Sequence, residues 1–285
     1  MSVRIAILFH ENYRKYRRRN DYQIGLLADC WRDAGHEVTF LFGVRAFAPA
    51  DVLVMHVDLS VVPDDYLEFA RRYRIVINGG ITDVRKSAFS RQLVRRGDGY
   101  DGPVIVKSNL NYAGIPERLL SRSRLAMAID HVVSRVPAVR ARRGLRFGTP
   151  ADYRVYESVR DVPPDAFASA EIVVEQFLPE QENGLYCLRL FHCFGDRWTS
   201  VINRSTDRII RAENKVSRAE IDPHPDVVAL RKSLALDYGK IDYVVRDGRA
   251  VVFDVNKTPG HAGPAMPHTV ERFRHLAAGL SSFLS

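Results

Sequence analysis

The sequence predicts a chain of mixed α/β and α+β class, with an N-terminal parallel α/β lobe, a small central lobe and a C-terminal lobe built on an antiparallel sheet. Three observations carry this reading. Apolar runs alternate with amphipathic segments through residues 1–80, the signature of βαβ units. Residues 171–285 are rich in strands punctuated by the turn pairs Gly195-Asp196 and Asp247-Gly248, which predict antiparallel hairpins. Residues 81–170 hold a single short apolar strand among helical patterns. At 285 residues the chain is long enough for two or three small lobes with real cores.

In the first region, Arg4–Phe9 reads as a buried strand and Tyr22–Ala34 as a helix ending at Gly35. Strands follow at Glu37–Phe42, Val52–His56 and Ile75–Asn78, with a helix over Asp64–Tyr73 between the last two. Asn78-Gly79-Gly80 closes this pattern at a strand's carboxyl end, where open α/β sheets place ligands. In the second region the periodicity predicts helices over Asp83–Val94 and Pro116–Val133 and a strand over Val104–Ser108. Pro137–Thr149 is basic and irregular. In the third, strands are predicted at Ile172–Phe177, Tyr186–Phe194, Trp198–Asn203, Ile241–Val245 and Ala250–Val255, with helices at Asp226–Leu236 and Thr269–Phe283.

Composition narrows the class. Hydrophobic residues make up 46% with charges interspersed, which suits a globular chain. No apolar run approaches the roughly 20 residues of a membrane helix, and the start reads as a strand rather than a signal peptide. Cys30, Cys187 and Cys193 form no CxxC pair, and their odd number predicts reduced thiols in a cytoplasmic protein. Cys187 and Cys193 are an even number of residues apart and would share one strand face. The net charge of +8 draws on two clusters, Arg14–Arg19 and Arg140–Arg146. These read equally as solvated surface or as an attraction for anionic partners. No zinc-finger, RNP or helix-turn-helix pattern accompanies them, which argues against nucleic acid.

The most informative stretch is Lys240-Ile241-Asp242, a turn, and then Phe253-Asp254-Val255-Asn256-Lys257-Thr258-Pro259-Gly260. A hairpin would bring Asp242 close to Asp254 and Asn256, and the latter two share a face by their spacing. Two carboxylates and one amide suit Mg²⁺, an oxygen-seeking ion that completes its shell with phosphate. The alternative is an edge hairpin with solvated acids, although Asp254 and Asn256 emerge from the buried-looking run Val251-Val252-Phe253. Upstream, Gly102–Val106 delivers Lys107 at the end of a buried strand, where an ammonium needs an anion.

Together these segments resemble the ATP-grasp superfamily, and in pattern the D-alanine–D-alanine ligases. The resemblance covers Lys86 to the C-terminus and, more loosely, the α/β start. It implies an N-terminal pre-ATP-grasp domain (1–80), a central ATP-grasp subdomain (81–170) and a C-terminal subdomain with the metal site (171–285), with ATP between the last two. It implies Asp242, Asp254 and Asn256 as ligands for one or two Mg²⁺ ions. Lys240 stands where the family has an arginine beside the transferring phosphoryl group, and Asp254 where the family usually has Glu. Lys107 and Lys86 take the places of phosphate-binding lysines, although Lys86 also reads as a surface helix lysine. Ala113 and Gly114 fall in the family's phosphate lid, which here holds one glycine. Glu175, Gln176, Phe177 and Leu178 match the segment that reads adenine, and Glu182 the acid that binds ribose. Arg204 and Lys215 lie where the family places cations near the γ-phosphate.

The activity so implied is that of an ADP-forming carboxylate–amine ligase: a substrate carboxylate attacks ATP to give an acylphosphate, which an amine or other nucleophile then displaces. The partners are a small carboxylate and an amine, with anionic or phosphorylated substrates and a homodimer left open, and no membrane. Two rival readings stand beside it: a kinase of the same fold acting on a hydroxyl, and a non-catalytic binder of nucleic acid or acidic surfaces through the basic clusters. On the substrate side, Glu11 follows the first strand and reads as an amine receptor or a solvated acid. His261 follows the Pro-Gly turn and reads as an acceptor contact or a packed residue.

Overall fold

The computed structural model describes residues 2–13, 22–120, 147–261 and 267–284. The basic clusters Arg14–Arg19 and Arg140–Arg146 and all of the Pro116–Val133 segment beyond Leu120 lie outside the described residues. The chain divides into two compact units: Met1–Asp83 with Pro179–Ser285, and Val84–Leu178.

The first unit opens with β1 (Arg4–Phe9), α1 (Gln23–Asp33), β2 (Glu37–Phe42), β3 (Val52–Met55), α2 (Asp64–Ala70) and β4 (Ile75–Ile77). The four strands form a parallel sheet in the order β2-β1-β3-β4. β1 and β3 are almost wholly buried, as strands covered on both faces are. α1 buries Ile24, Leu27, Ala28 and Trp31, and Trp31 donates its indole N–H to Ala277 O at 3.0 Å.

The second unit holds α3 (Lys86–Phe89), β5 (Val104–Ser108), a 3₁₀ turn at Asn111–Gly114, α4 (Ile115–Leu120), β6 (Arg154–Tyr156), α5 (Asp165–Ala168) and β7 (Ile172–Gln176). Its sheet is antiparallel, ordered β6-β5-β7. Val94, Val104, Val106, Ala166 and Val174 form its core. Here one expectation fails. The helix expected over Asp83–Val94 is confined to Lys86–Phe89. Beyond it the chain runs extended along β7: Val94 N–H donates to Val174 O, Gln176 N–H donates to Gln92 O, both at 2.8 Å, and Leu93 bridges to Glu175. Pairing with an open strand edge outweighed a helical pattern only a few turns long.

The first unit resumes with β8 (Glu180–Glu182), β9 (Leu185–Phe194), β10 (Arg197–Ser205), β11 (Ser217–Glu220), α6 (Pro225–Ser233), β12 (Tyr238–Arg246), β13 (Arg249–Asn256), α7 (Pro267–Ala277) and a closing 3₁₀ helix, Ala278–Phe283. The strands form an antiparallel sheet ordered β11-β10-β9-β12-β13, with β8 also on β9. Asp247 and Gly248 both take positive φ (50° and 72°), the conformation of a tight two-residue hairpin turn. Cys187 and Cys193 lie on β9 with parity on one face, both buried, and neither they nor Cys30 is in a disulfide. Among the described residues no helix is long and apolar enough to cross a membrane.

The two segments of this unit are stitched by polar contacts at the carboxyl ends of the parallel strands. Asn78, at φ 63°, accepts through Oδ1 from the N–H groups of Asp237 (3.0 Å) and Tyr238 (2.9 Å), and donates through Nδ2 to Tyr238 O at 2.7 Å. Its own N–H donates to Asp237 Oδ2 at 2.8 Å. Lys257 donates to Val57 O at 2.7 Å, Gln23 N–H to Pro259 O at 3.0 Å, and Tyr22 bridges to Gly260.

Candidate active site

The β12–β13 hairpin builds the acidic constellation by register. Asp242 lies directly opposite Asp254, and Lys240 opposite Asn256. Directly opposed residues, and residues two apart on a strand, share a face. Asp242, Asp254, Lys240 and Asn256 therefore occupy one face of the sheet at one end of the hairpin. A bulge between Asp242 and Tyr243 breaks the ladder just beyond the pair, a device that re-aims side chains beside functional sites. Lys240 Nζ donates to Asp242 Oδ2 at 2.9 Å. Burial works against its charge, but Asp242 and then Asp254 outweigh it and hold the ammonium pKa above its ordinary value. Asn256 Oδ1 accepts from Thr258 N–H at 2.8 Å, which fixes the amide at the start of the Thr-Pro-Gly turn. Thr258 donates its hydroxyl to Asp58 Oδ1 at 2.7 Å, and Tyr22 donates to the other oxygen of that buried carboxylate.

Among the described residues no group of three or more His, Cys, Asp or Glu forms a metal cage. The set here has two carboxylates and an amide, so it does not amount to such a cage. All its donors are oxygens and they are few, which fits Mg²⁺ completing its coordination with phosphate and water rather than a protein-only site.

On the face of the sheet that carries Asp242, β9 contributes Leu188, Leu190 and His192, and β10 contributes Asn203. Arg204, next along β10, has the opposite parity. Its guanidinium binds Glu182, with Nε at 2.8 Å from Oε2. The acid that the resemblance assigned to ribose and the cation it assigned to the γ-phosphate are thus partners of each other, on the face away from Asp242. The register decides this: Arg204 opposes Cys187, which opposes Glu180 on β8. Lys215 is exposed in the connection between β10 and β11. Asn214 ties that loop by donating to Asp207 Oδ2 and Ile209 O, both at 2.9 Å, and accepting from Arg211 N–H at 2.7 Å.

In the second unit, Lys107 and Glu175 form a buried ion pair across β5 and β7. Lys107 is 4% exposed and Glu175 0%. Ile105 opposes Glu175, and Lys107 lies two residues on, so both face the same side. Lys86 is also buried and donates to Leu110 O at 3.1 Å, which removes its reading as a surface lysine. In the segment expected to read adenine the N–H groups of Gln176 and Phe177 are already engaged, by Gln92 O and Pro103 O at 2.8 Å each. The segment expected to cap phosphates is a 3₁₀ turn in which Tyr112, Ala113 and Gly114 take φ of 46°, 57° and 69°. Two consecutive non-glycine residues in the left-handed region store strain of about 1–3 kcal/mol each, and such strain gathers at ligand-holding loops.

Glu11 is exposed at the carboxyl end of β1, and its N–H donates to the Tyr66 hydroxyl at 2.9 Å. His261 stands edge-on to Phe273, with ring centroids 5.8 Å apart. Two residues gave no signal in sequence. His56 is fully buried among Phe9, Tyr22 and Tyr238, and among the described residues neither ring nitrogen has a hydrogen-bond partner. Burial, and then Lys257, drive its pKa down to about 3. His192 opposes Lys240, and its pKa is pushed well down by burial and then by Lys240, Arg272 and Arg218. Neither follows a recognisable motif, and each becomes conspicuous only through its neighbours.

By sequence, no family model and no curated protein matches the chain. By structure it is similar to a RimK domain protein ATP-grasp from Sphaerobacter thermophilus DSM 20745, with 14% identity and a TM-score of 0.50 over 99% of this chain and 100% of that one. It also aligns with D-alanine–D-alanine ligase from Bacillus anthracis, at 12% identity and a TM-score of 0.48 over 99% and 96% of the two chains. A third alignment is to the ATP-grasp ligase PsnB, complexed with minimal precursor, Mg and ADP, at 16% identity and a TM-score of 0.47 over 98% and 97%. At such identities the likeness is one of fold.

Proposed function

Taking as premise that this chain has the ATP-grasp fold, we propose that it is an ATP-dependent ligase that activates a substrate carboxylate as an acylphosphate, with release of ADP. The observation that carries the proposal is the Asp242–Asp254 pairing, with Lys240 and Asn256 on the same face and at the same end of the hairpin. Asp242, Asp254 and Asn256 would hold Mg²⁺. The ion, when bound, neutralises phosphate charge and aligns the phosphoryl group for transfer.

The remaining steps fall to the chain's own groups. Lys240, kept protonated by its two acids, lies within reach of Asp242 and supplies a positive charge where negative charge develops. Lys86 and Lys107 are the candidates for the α- and β-phosphates, and the strained turn at Ala113 and Gly114 for capping them through backbone N–H groups. For Lys107 this requires sharing its charge with Glu175. Glu175, Phe177 and Leu178, together with the carbonyl of Gln176, are the candidates for adenine, and Glu182 for ribose once it yields Arg204. Lys215 is the candidate for the γ-phosphate, and Arg204 serves there only by leaving Glu182. An amine or other nucleophile then attacks the acyl carbon, and phosphate departs as the leaving group. No protein nucleophile is needed.

The test is incubation with Mg-ATP and pools of carboxylates and amines, following ADP and phosphate release. ADP and phosphate released in equal amounts, only when a carboxylate and a nucleophile are both present, is the expected outcome. A stable phosphorylated product with no need for a nucleophile would replace the ligase with a kinase.

A further inference from the structure

One cluster on the Asp242 face has no part in the chemistry so far. Arg218 on β11 lies directly opposite Asn203, which lies opposite Leu188 on β9. By the same parity as His192 and Lys240, Arg218 projects on the face that carries Asp242, Asp254 and Asn256. α7 packs on β9 and β10 and places Phe273 in one core with Phe194, whose parity is that of His192. Arg272, the residue before Phe273, therefore comes from the helix that covers this face.

Neither guanidinium makes an ion pair or a hydrogen bond among the described residues. Arg272 Nε and the amide oxygen of Asn203 are buried without a hydrogen-bond partner among the described residues, the Arg272 guanidinium lies over the Phe273 ring at 4.8 Å, and Arg218 is exposed. Burial, and then Arg218, pull the pKa of Arg272 down, so the two cations act on one another. Both also act on the neutral, buried His192. Glu220, two residues from Arg218 on the same strand, forms no ion pair with it. Elsewhere on this sheet arginines are matched: Arg189 binds Glu180 and Arg204 binds Glu182. A half-buried guanidinium beside a second cation, with only an aromatic face and no acid among the described residues to offset it, favours an anion supplied from outside the chain. The planar fork of arginine suits a carboxylate or phosphate oxygen pair.

We infer that Arg272 and Arg218 form an oxyanion subsite for a second acidic group on the substrate, separate from the carboxylate that is activated and from the phosphates of ATP. This deepens the ligase reading and rests on it. It assigns the substrate to the class of dicarboxylates or phosphorylated carboxylates. His192, opposite Lys240 on the same face, is held neutral and adds no charge.

The same cations could instead serve the γ-phosphate, and the experiment separates the two sources. Succinate and inorganic phosphate are titrated calorimetrically into the full chain at constant ionic strength, with acetate as the monoanion control, with and without saturating Mg-AMP-PNP. Expected are binding of both dianions in the presence of the nucleotide, weakening by about 10- to 100-fold in Arg272→Gln and Arg218→Gln, partial recovery in Arg272→Lys, and an unchanged affinity for Mg-AMP-PNP. Competition between dianion and nucleotide, or a loss of nucleotide affinity in Arg272→Gln, would overturn the inference in favour of a phosphate cradle. So would dianion binding that is absent in the parent protein or equal in parent and variants. Failure of the ligase reading itself would show separately, as no Mg-AMP-PNP binding by the unaltered chain.

Discussion

At the scale of single residues, the acids of the β12–β13 hairpin and the buried histidines make the sharpest commitments. Asp254→Ala combined with Asn256→Ala removes two of the three oxygen donors and no buried apolar side chain, at the cost of the Asn256 bond to the Thr258 turn. ADP release in the Mg-ATP assay should fall by about 100-fold or more with an unchanged circular dichroism spectrum, and retained turnover would dismiss the metal assignment. His56 predicts a pH effect on stability. Its folded pKa of about 3 lies below its unfolded value of 6.5. Between those values the unfolded chain binds more protons, so stability drops as pH falls, by about 1.4 kcal/mol per pH unit from this group. His192 acts in the same direction. Denaturant midpoints measured between about pH 4 and 7 should slope less in His56→Phe than in the parent. Equal slopes would mean that His56 is protonated in the folded state.

At the scale of elements, two close approaches replace what sequence showed only as turn punctuation. Gly195, read as the β9–β10 turn residue, meets the closing 3₁₀ helix: a Cβ there would lie 2.2 Å from Gly279 O, and one on Gly279 would lie 2.0 Å from Phe194 O. Gly279→Ala should therefore destabilise the protein by about 2–3 kcal/mol, read from chemical denaturation, by prying the C-terminal helix from the hairpin. The 3₁₀ turn at Asn111–Gly114 gives the matching case in the second unit. Gly114 sits at φ +69°, with the site of a Cβ 3.0 Å from Leu110 Cδ1. Gly114→Ala should cost about 1–2 kcal/mol, and a neutral result would show that the turn relaxes to negative φ.

At the scale of the molecule, the larger unit is made of chain segments almost a hundred residues apart, and Asn78 is one of the clamps between them. Its amide meets Asp237, Tyr238 and the carbonyl of Lys257 (3.4 Å), so it holds β4, the entry to β12 and the turn after Asn256 together. Asn78→Ala leaves buried N–H groups of the partner segment without acceptors and places an alanine at positive φ. A loss of about 3 kcal/mol is expected, together with weaker nucleotide turnover because the Lys257 turn loses its anchor. Undiminished stability would show that the segments hold by apolar packing alone.

The sequence by itself determined the class of each lobe, most strand positions and the acidic hairpin, because those rest on local periodicity, turn chemistry and short spacing. Val104–Ser108 was legible to the residue, and the opposition of Asp242 and Asp254 followed from one tight turn. What it left open was every partnership made across the chain. Arg204 and Glu182 were read as two separate ligand contacts and are each other's partner. Lys107 and Glu175 likewise satisfy one another, the helix expected through Val94 gave way to an edge of β7, and Asn78 became a clamp rather than a ligand loop. Tertiary structure alone decided these matters. A buried charge or an open strand edge takes whichever complement the fold brings within reach, and no local pattern encodes which distant residue that will be.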